Sequence, residues 1–177
     1  LGVDLLTVAG HKLYGPKGVG VLFVHNDIIL EKFIHGAGHE MGWRAGTENV
    51  LEVVGLGTAC EIIADDLEKH AAHLNGLRDR LENTLLNGVS DIRVNGHAEH
   101  RLPNTLSVSF KGLDAEDILA EISDDVAASA GAACHSGEVR VSHVLAAMKV
   151  PLEWARGTLR LSVGRFTTGE EIDRAGD

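Results

Sequence analysis

The stretch "AGHKLYGPKGVGVLFV", residues 9–24, places a histidine and a lysine between two apolar runs. The runs at 4–9 and 19–24 are bounded by glycine and proline, which predicts two short buried strands with the lysine segment as the turn between them. Lys12 then follows the end of a strand, where open α/β sheets bind ligands. A partly desolvated lysine can form a Schiff base with an aldehyde cofactor. A solvated turn lysine explains the same pattern, so both interpretations stay open for this segment alone.

The rest of the chain alternates helical and strand patterns. A Gly-rich polar loop at 35–50 precedes a helical pattern from Val50 to Leu86, which predicts one long helix or two separated near Gly76. Strands are expected in IRVNG (92–96), NTLSVSF (104–110), VAAS (126–129) and TLRLSV (158–163), and helices at 115–122 and 142–148. This alternation predicts an α/β protein in two parts, residues 1–70 and 71–177, with the boundary inside the long helix.

The composition of the 177 residues, 44% hydrophobic and 24% charged, is that of a soluble globular protein. A net charge of −10 argues against nucleic acid or an anionic membrane as the main partner. No apolar run approaches the roughly 20 residues that span a bilayer. Cys60 and Cys134 lie far apart, which favours a cytoplasmic location over a disulfide scaffold. Because the chain starts abruptly at Leu1 and ends just after the capping box of Thr168 and Glu171, we expect a fragment of a longer protein.

Two further residues are candidates for chemistry. Cys134 lies among small residues in ASAGAACHSG and is either a structural free cysteine or a nucleophile. Arg160 alternates with Leu159 and Leu161 on a predicted strand, so it forms either a structural ion pair or a clamp for a substrate carboxylate. Cys60 has apolar neighbours in a helical pattern, and we expect it in the core.

The ten histidines raise the question of a metal site. His35 and His39 are four residues apart, but the glycines between them argue against a helix that would align the two rings. Cys134 and His135 are adjacent in sequence, and neighbours of this kind rarely bind one ion together. We therefore expect no zinc site.

Taken together, the motifs resemble the C-terminal half of a NifS-type cysteine desulfurase, in the class V aminotransferase group of enzymes that use pyridoxal 5′-phosphate (PLP). The resemblance covers nearly the whole chain. It rests on these segments, in this order: HKLYGPKGVG, HGAGHEMGWRAGTENV, RLPNTLSVSF, GAACHS and LRLSVGRFTTGEEID. It implies the PLP-dependent aminotransferase fold (fold type I), with residues 1–70 as the C-terminal part of the PLP-binding large domain and 71–177 as the small α/β domain that carries the reactive-cysteine loop.

The resemblance also implies roles for single residues. Lys12 would carry the PLP Schiff base and move the proton, with His11 beside it near the phosphate. Cys134 would be the nucleophile that takes sulfur from L-cysteine as a persulfide and leaves L-alanine. Arg160 would bind the substrate carboxylate. Thr47 would reach the phosphate of a neighbouring subunit's PLP, which implies a homodimer.

A cysteine desulfurase passes its persulfide sulfur to an acceptor protein, such as a scaffold for iron–sulfur cluster biosynthesis. Selenocysteine lyase is a close alternative that would act on L-selenocysteine, and a PLP-free interaction or dimerisation module is an alternative of another class. A plain class V aminotransferase is less favoured, because transamination does not need Cys134.

Two departures from the family pattern affect the cofactor. Ala9 stands where many members have a serine that binds phosphate. The histidine that stacks on PLP and the aspartate that pairs with its ring nitrogen precede the lysine strand in the family, outside these residues. We therefore expect this chain alone not to hold PLP competently.

Overall fold

A 39-residue helix, α1 (Val50–Gly88), is the longest element of the chain. The computed structural model describes residues 2–130 and 141–177. The helix is continuous through Gly76, so the single long helix forms rather than two shorter ones. It begins in one unit of the structure, Leu1–Leu67, and ends in another, Glu68–Asp177.

The first unit begins with an antiparallel pair of strands, β1 (Leu5–Ala9) and β2 (Gly20–Val24), as predicted. Leu5 pairs with Val24 and Ala9 with Gly20, so the lysine segment closes the hairpin. The expected burial of these strands is wrong for the described residues: the side chains of Leu5 and Phe23 are 46% and 48% exposed. The physical reason is that two strands cannot cover both of their own faces without a further packed layer.

The second unit is built on a three-stranded antiparallel sheet in the order β3–β4–β5. Its strands are β3 (Ile92–Val94), β4 (Thr105–Phe110) and β5 (Thr158–Ser162). The predicted strand VAAS does not form. Only its last residue, Ser129, pairs with the sheet, in an isolated bridge to Arg160. Alanine has low strand propensity, which explains why this stretch does not pair over its length.

The core of the second unit lies between α1 and this sheet. Leu77, Leu81 and Leu85 are spaced by four residues, so they form one buried stripe of α1. They cluster with Leu106 and Val108, which alternate on β4 and are almost fully buried. Further members of the cluster are Ala115, Leu159, Val163 and Ile172.

The described part of the second unit also contains four short helices: α2 (Ala115–Glu121), α3 (His143–Ala147), α4 (Leu152–Ala155) and α5 (Gly169–Gly176). The capping box predicted for Thr168 and Glu171 is present at α5, with the Thr168 hydroxyl accepting from the Glu171 amide at 3.2 Å. The described helices include none that combines the length and hydrophobicity needed to cross a bilayer.

The prediction that Cys60 lies in the core is wrong, because its side chain is exposed. On this part of α1 the buried residues are Leu56 and Ala59. Cys60 follows Ala59 directly and is turned about 100° around the helix from it, which takes the thiol off the covered face.

Candidate active site

Lys12 lies on a tight loop at the end of β1. The chain leaves the strand at Ala9 and forms a 3₁₀ helix, Gly10–Leu13, that ends in a left-handed residue, Tyr14 (φ 60°). Two backbone bonds close the loop: the Gly10 amide donates to the Val19 carbonyl at 2.9 Å, and the Gly15 amide donates to the Gly10 carbonyl at 3.0 Å. The backbone that carries Lys12 is therefore fixed at both ends.

Glycines allow the segment after Lys12 to pack against the first turns of α1. Gly18 has φ +96°, and a Cβ placed there would lie 2.9 Å from Glu52 Oε2. A Cβ on Gly55 of α1 would lie 2.7 Å from Pro16 Cγ. A side chain at Gly55 would press against the ring of Pro16, and one at Gly18 would strain the backbone and displace the flexible Glu52 carboxylate. The glycines of the segment G-P-K-G (15–18) therefore allow close packing against α1 as well as the turn.

The side chains of His11 and Lys12 are exposed. Within the described residues, no ion pair or hydrogen bond holds the Lys12 amine. A primary amine of this kind can condense with an aldehyde, and the neighbouring imidazole and the hydroxyl of Thr47 are groups that can donate to a phosphate. These groups match the aldehyde and the phosphate of PLP in their chemistry, and the roles of Lys12, His11 and Thr47 toward PLP stay predictions.

Thr47 follows a Gly-rich loop whose residues form hydrogen bonds with one another. His39 Nδ1 accepts from the Gly46 amide at 3.3 Å, and Arg44 pairs with Glu40 at 3.3 Å. The next residue, Glu48, has a pKa below its ordinary value because its carboxylate accepts from backbone amides, first its own and then that of Glu40. The charge of Arg44 lowers this pKa further.

Arg160 lies on β5 with its side chain exposed. Its residue partner on β4 is Ser107, and its amide donates to the Ser129 carbonyl at 2.7 Å. Among the described residues no carboxylate forms an ion pair with its guanidinium. The choice between a structural pair and a carboxylate clamp stays a prediction.

The structure places the predicted site residues in separate parts of the chain. His11, Lys12 and Thr47 belong to the first unit, and Arg160 belongs to the second. Cys134 lies outside the described residues, as does His135. That these residues form one active site therefore stays a prediction.

Sequence reasoning missed the parts played by His39 and Arg44. It considered His39 only as a metal ligand, whereas the ring accepts a backbone amide instead. The alternation of basic and acidic side chains in HEMGWRAGTE, inside a Gly-rich loop, was the available signal. Such a loop has few apolar contacts, so polar side chains must close it.

Comparison with known proteins gives the family. The sequence matches the Aminotransferase class-V model over residues 1–175. It is 43% identical over 175 residues to the cysteine desulfurase IscS of Mannheimia succiniciproducens, a match that covers 98% of this chain and 43% of the relative. The chain thus spans less than half the length of this curated relative.

Solved structures show the same fold. A NifS-like protein superposes with a TM-score of 0.84 at 35% identity, covering 97% of this chain and 44% of that protein. SspA, solved in complex with cysteine, gives a TM-score of 0.66 at 30% identity, covering 94% of this chain and 45% of that one. The prediction of a PLP-dependent aminotransferase fold is confirmed, and the chain belongs to the class V aminotransferase family.

Proposed function

We propose that these residues belong to a PLP-dependent cysteine desulfurase, which converts L-cysteine to L-alanine and leaves a persulfide on the enzyme. The observation that carries the proposal is Lys12, an exposed amine on a closed glycine loop at the end of β1. The supporting relative is named a cysteine desulfurase and matches across this loop. We also propose that residues 1–70 complete the PLP-binding large domain and that 71–177 form the small domain.

Each role is the one that the family resemblance implies, and the chemistry of the side chain supports it. PLP, when bound, supplies an electron sink for the charge left when the substrate Cα loses its proton. Lys12 Nζ would hold the cofactor aldehyde and would take the substrate proton, while His11 and Thr47 would donate hydrogen bonds to the phosphate. Arg160 binds the substrate α-carboxylate through its planar guanidinium.

Cys134 is the nucleophile of the proposed reaction. Its Sγ, as a thiolate, forms a bond to the substrate sulfur while the Cβ–S bond of the substrate breaks. His135 accepts the thiol proton. The net conversion of a thiol and L-cysteine to a persulfide and L-alanine balances without an external oxidant or reductant.

The partners follow from the same assignment. Thr47 acts on the phosphate bound in a second subunit, so the enzyme is a homodimer. The persulfide sulfur passes to an acceptor protein, such as an iron–sulfur scaffold, in the cytoplasm. The printed name of the curated relative favours L-cysteine over L-selenocysteine as the substrate.

The test uses the full-length protein with PLP and L-cysteine. We expect a visible absorption band of lysine-bound cofactor, alanine release, and a mass gain of one sulfur atom on the Cys134 peptide. Lys12→Ala removes the band, and Lys17→Ala, an exposed lysine of the same loop, retains it. Cys134→Ser retains the band and abolishes persulfide.

Other outcomes identify the alternatives. A full band with alanine formed faster from L-selenocysteine than from L-cysteine supports the lyase. Absence of the band in wild-type protein at saturating PLP supports a PLP-free interaction module and refutes the enzyme assignment.

A further inference from the structure

The Gly-rich loop before Thr47 is closed by one arginine and one histidine. Arg44 Nη1 donates to the carbonyl oxygens of Ala45 and Gly46, both at 3.2 Å, and Nη2 donates to Glu40 Oε1 at 3.3 Å. The Gly46 amide donates to His39 Nδ1 at 3.3 Å. We call the side chains of His39, Glu40 and Arg44, with the backbone of Ala45 and Gly46, the Arg44 clasp.

The clasp contains strained backbone. Glu40 and Met41 have φ 49° and 55°, in the left-handed region that residues with a Cβ rarely adopt. Such conformations persist only where surrounding bonds impose them, and they are common where a loop presents a functional group. Met41 is almost fully exposed, so its own packing does not impose the conformation. Two backbone bonds span the strained pair, from the Gly42 amide to the His39 carbonyl at 2.9 Å and from the Trp43 amide to the Glu40 carbonyl at 3.0 Å, and the side-chain bonds of His39 and Arg44 add to this constraint.

The clasp fixes the peptide unit that leads into Thr47. Both polar groups of the Gly46 backbone are engaged, its amide by His39 and its carbonyl oxygen by Arg44. The Gly46 carbonyl carbon is bonded to the Thr47 nitrogen, so holding that oxygen sets the plane from which the Thr47 side chain projects.

The charge around Thr47 gives the clasp a second effect. Glu40 lies in the loop and Glu48 just after it, and backbone hydrogen bonds hold the pKa of Glu48 below its ordinary value. The Arg44 charge lies against the Glu40 carboxylate and acts on Glu48 as well. An anion approaching Thr47 is therefore repelled less when Arg44 is present.

We propose that Arg44 and His39 are positioning residues for Thr47, which they hold in one geometry to donate to the phosphate of the cofactor. This inference rests on the proposed function, because Thr47 is assigned to that phosphate there. It adds that phosphate affinity depends on two side chains that do not touch the cofactor. A planar guanidinium with several N–H donors is required, because it donates to two carbonyl oxygens and a carboxylate at the same time.

The first experiment measures cofactor affinity in the full-length protein. Arg44→Gln should weaken PLP binding about tenfold, the order expected for losing hydrogen bonds that involve a charged group. The same variant should bind pyridoxal, which lacks the phosphate, as wild type does. Arg44→Lys should recover only a small part of the loss, because an ammonium lacks this planar set of donors. Arg174→Gln, which breaks an exposed ion pair with Asp125, is the control and should leave both affinities unchanged.

Coupling between Arg44 and Thr47 decides whether the arginine acts through the threonine. Thr47→Val should weaken PLP binding, and adding Arg44→Gln to Thr47→Val should cause little further loss. Fully additive losses would overturn the positioning role. Equal loss of PLP and pyridoxal affinity in Arg44→Gln would also overturn it, because the defect would then not concern the phosphate.

A cofactor-free measurement separates failure of this inference from failure of the proposed function. Hydrogen–deuterium exchange of the apo protein should show faster exchange in the peptide covering 40–48 for Arg44→Gln and for His39→Phe, which keeps a ring but has no acceptor. Unchanged exchange refutes the clasp even if PLP binds. Faster exchange in a protein that binds no PLP retains the clasp and refutes only its link to the cofactor.

Discussion

Gly18→Ala tests whether the lysine loop depends on close packing against α1. The substitution puts a methyl group on a residue with φ +96° and places it 2.9 Å from Glu52 Oε2. The backbone strain alone costs about 1–2 kcal/mol. The contact adds little, because the carboxylate is the far end of a flexible side chain and can move. We therefore expect a loss of about 2 kcal/mol in the free energy of unfolding.

Gly57→Ala is the matched control for this measurement. Gly57 lies in α1, its added Cβ would meet nothing within 4 Å, and its φ is not positive. The same change of glycine to alanine should stabilise the protein there by about 0.5–1 kcal/mol, because alanine is the better helix former. Urea unfolding followed by circular dichroism measures both variants. Equal effects at the two positions would refute the role of the Gly18 conformation.

Glu52→Ala separates the two contributions to the cost of Gly18→Ala, which are the backbone strain and the contact with the Glu52 carboxylate. Glu52 Oε2 is buried and has no hydrogen-bond partner in the described structure, so the carboxylate can be removed without breaking a bond to that oxygen. If strain dominates, Gly18→Ala should cost about the same in the Glu52→Ala background as in wild type. A cost that disappears in the double variant would show that the contact, and not the backbone, opposes the methyl group.

Substitutions at three further positions test the packing and capping of the helices. Leu81→Ala removes a side chain that is 4% exposed in the core of the second unit and should cost about 2–5 kcal/mol in urea unfolding. Thr168→Ala removes the capping box of α5 and should cost about 1 kcal/mol, whereas Thr168→Ser should restore most of it. Gly76→Ala should raise stability by about 0.5–1 kcal/mol in thermal unfolding, since a Cβ there meets no atom within 4 Å; a loss would contradict the continuous helix.

Short sequence patterns predicted those secondary-structure elements that are determined by interactions between residues close in sequence. The two apolar runs around Lys12 form paired strands, and the capping box of Thr168 and Glu171 opens a helix. A capping box closes through hydrogen bonds between residues three apart, so no tertiary contact is needed to specify it. The same holds for the turn at Lys12, where glycines on both sides permit the close backbone approaches that the turn requires.

Burial was less predictable than the elements themselves. An apolar run specifies a strand, but a second layer must cover that strand, and the sequence of the run does not say which residues supply the layer. Leu5 and Phe23 are therefore strand residues, as predicted, and remain about half exposed. Cys60 gives the helical counterpart, because its neighbours are apolar on several sides and only the packing of Leu56 and Ala59 decides which face is covered.

The Arg44 clasp shows why part of the candidate site could not be predicted. Lys12 could be singled out in the sequence because it follows a predicted strand and lies in a segment that resembles a family motif. Arg44 and His39 act through bonds to the backbone of Ala45 and Gly46, and such bonds follow no period in the sequence. They depend on the left-handed turn at Glu40 and Met41, which neither residue type favours. Hydrogen bonds to the backbone, and not a repeating sequence pattern, specify the conformation of such a loop. Its function is therefore best inferred from the backbone groups that these hydrogen bonds hold in place.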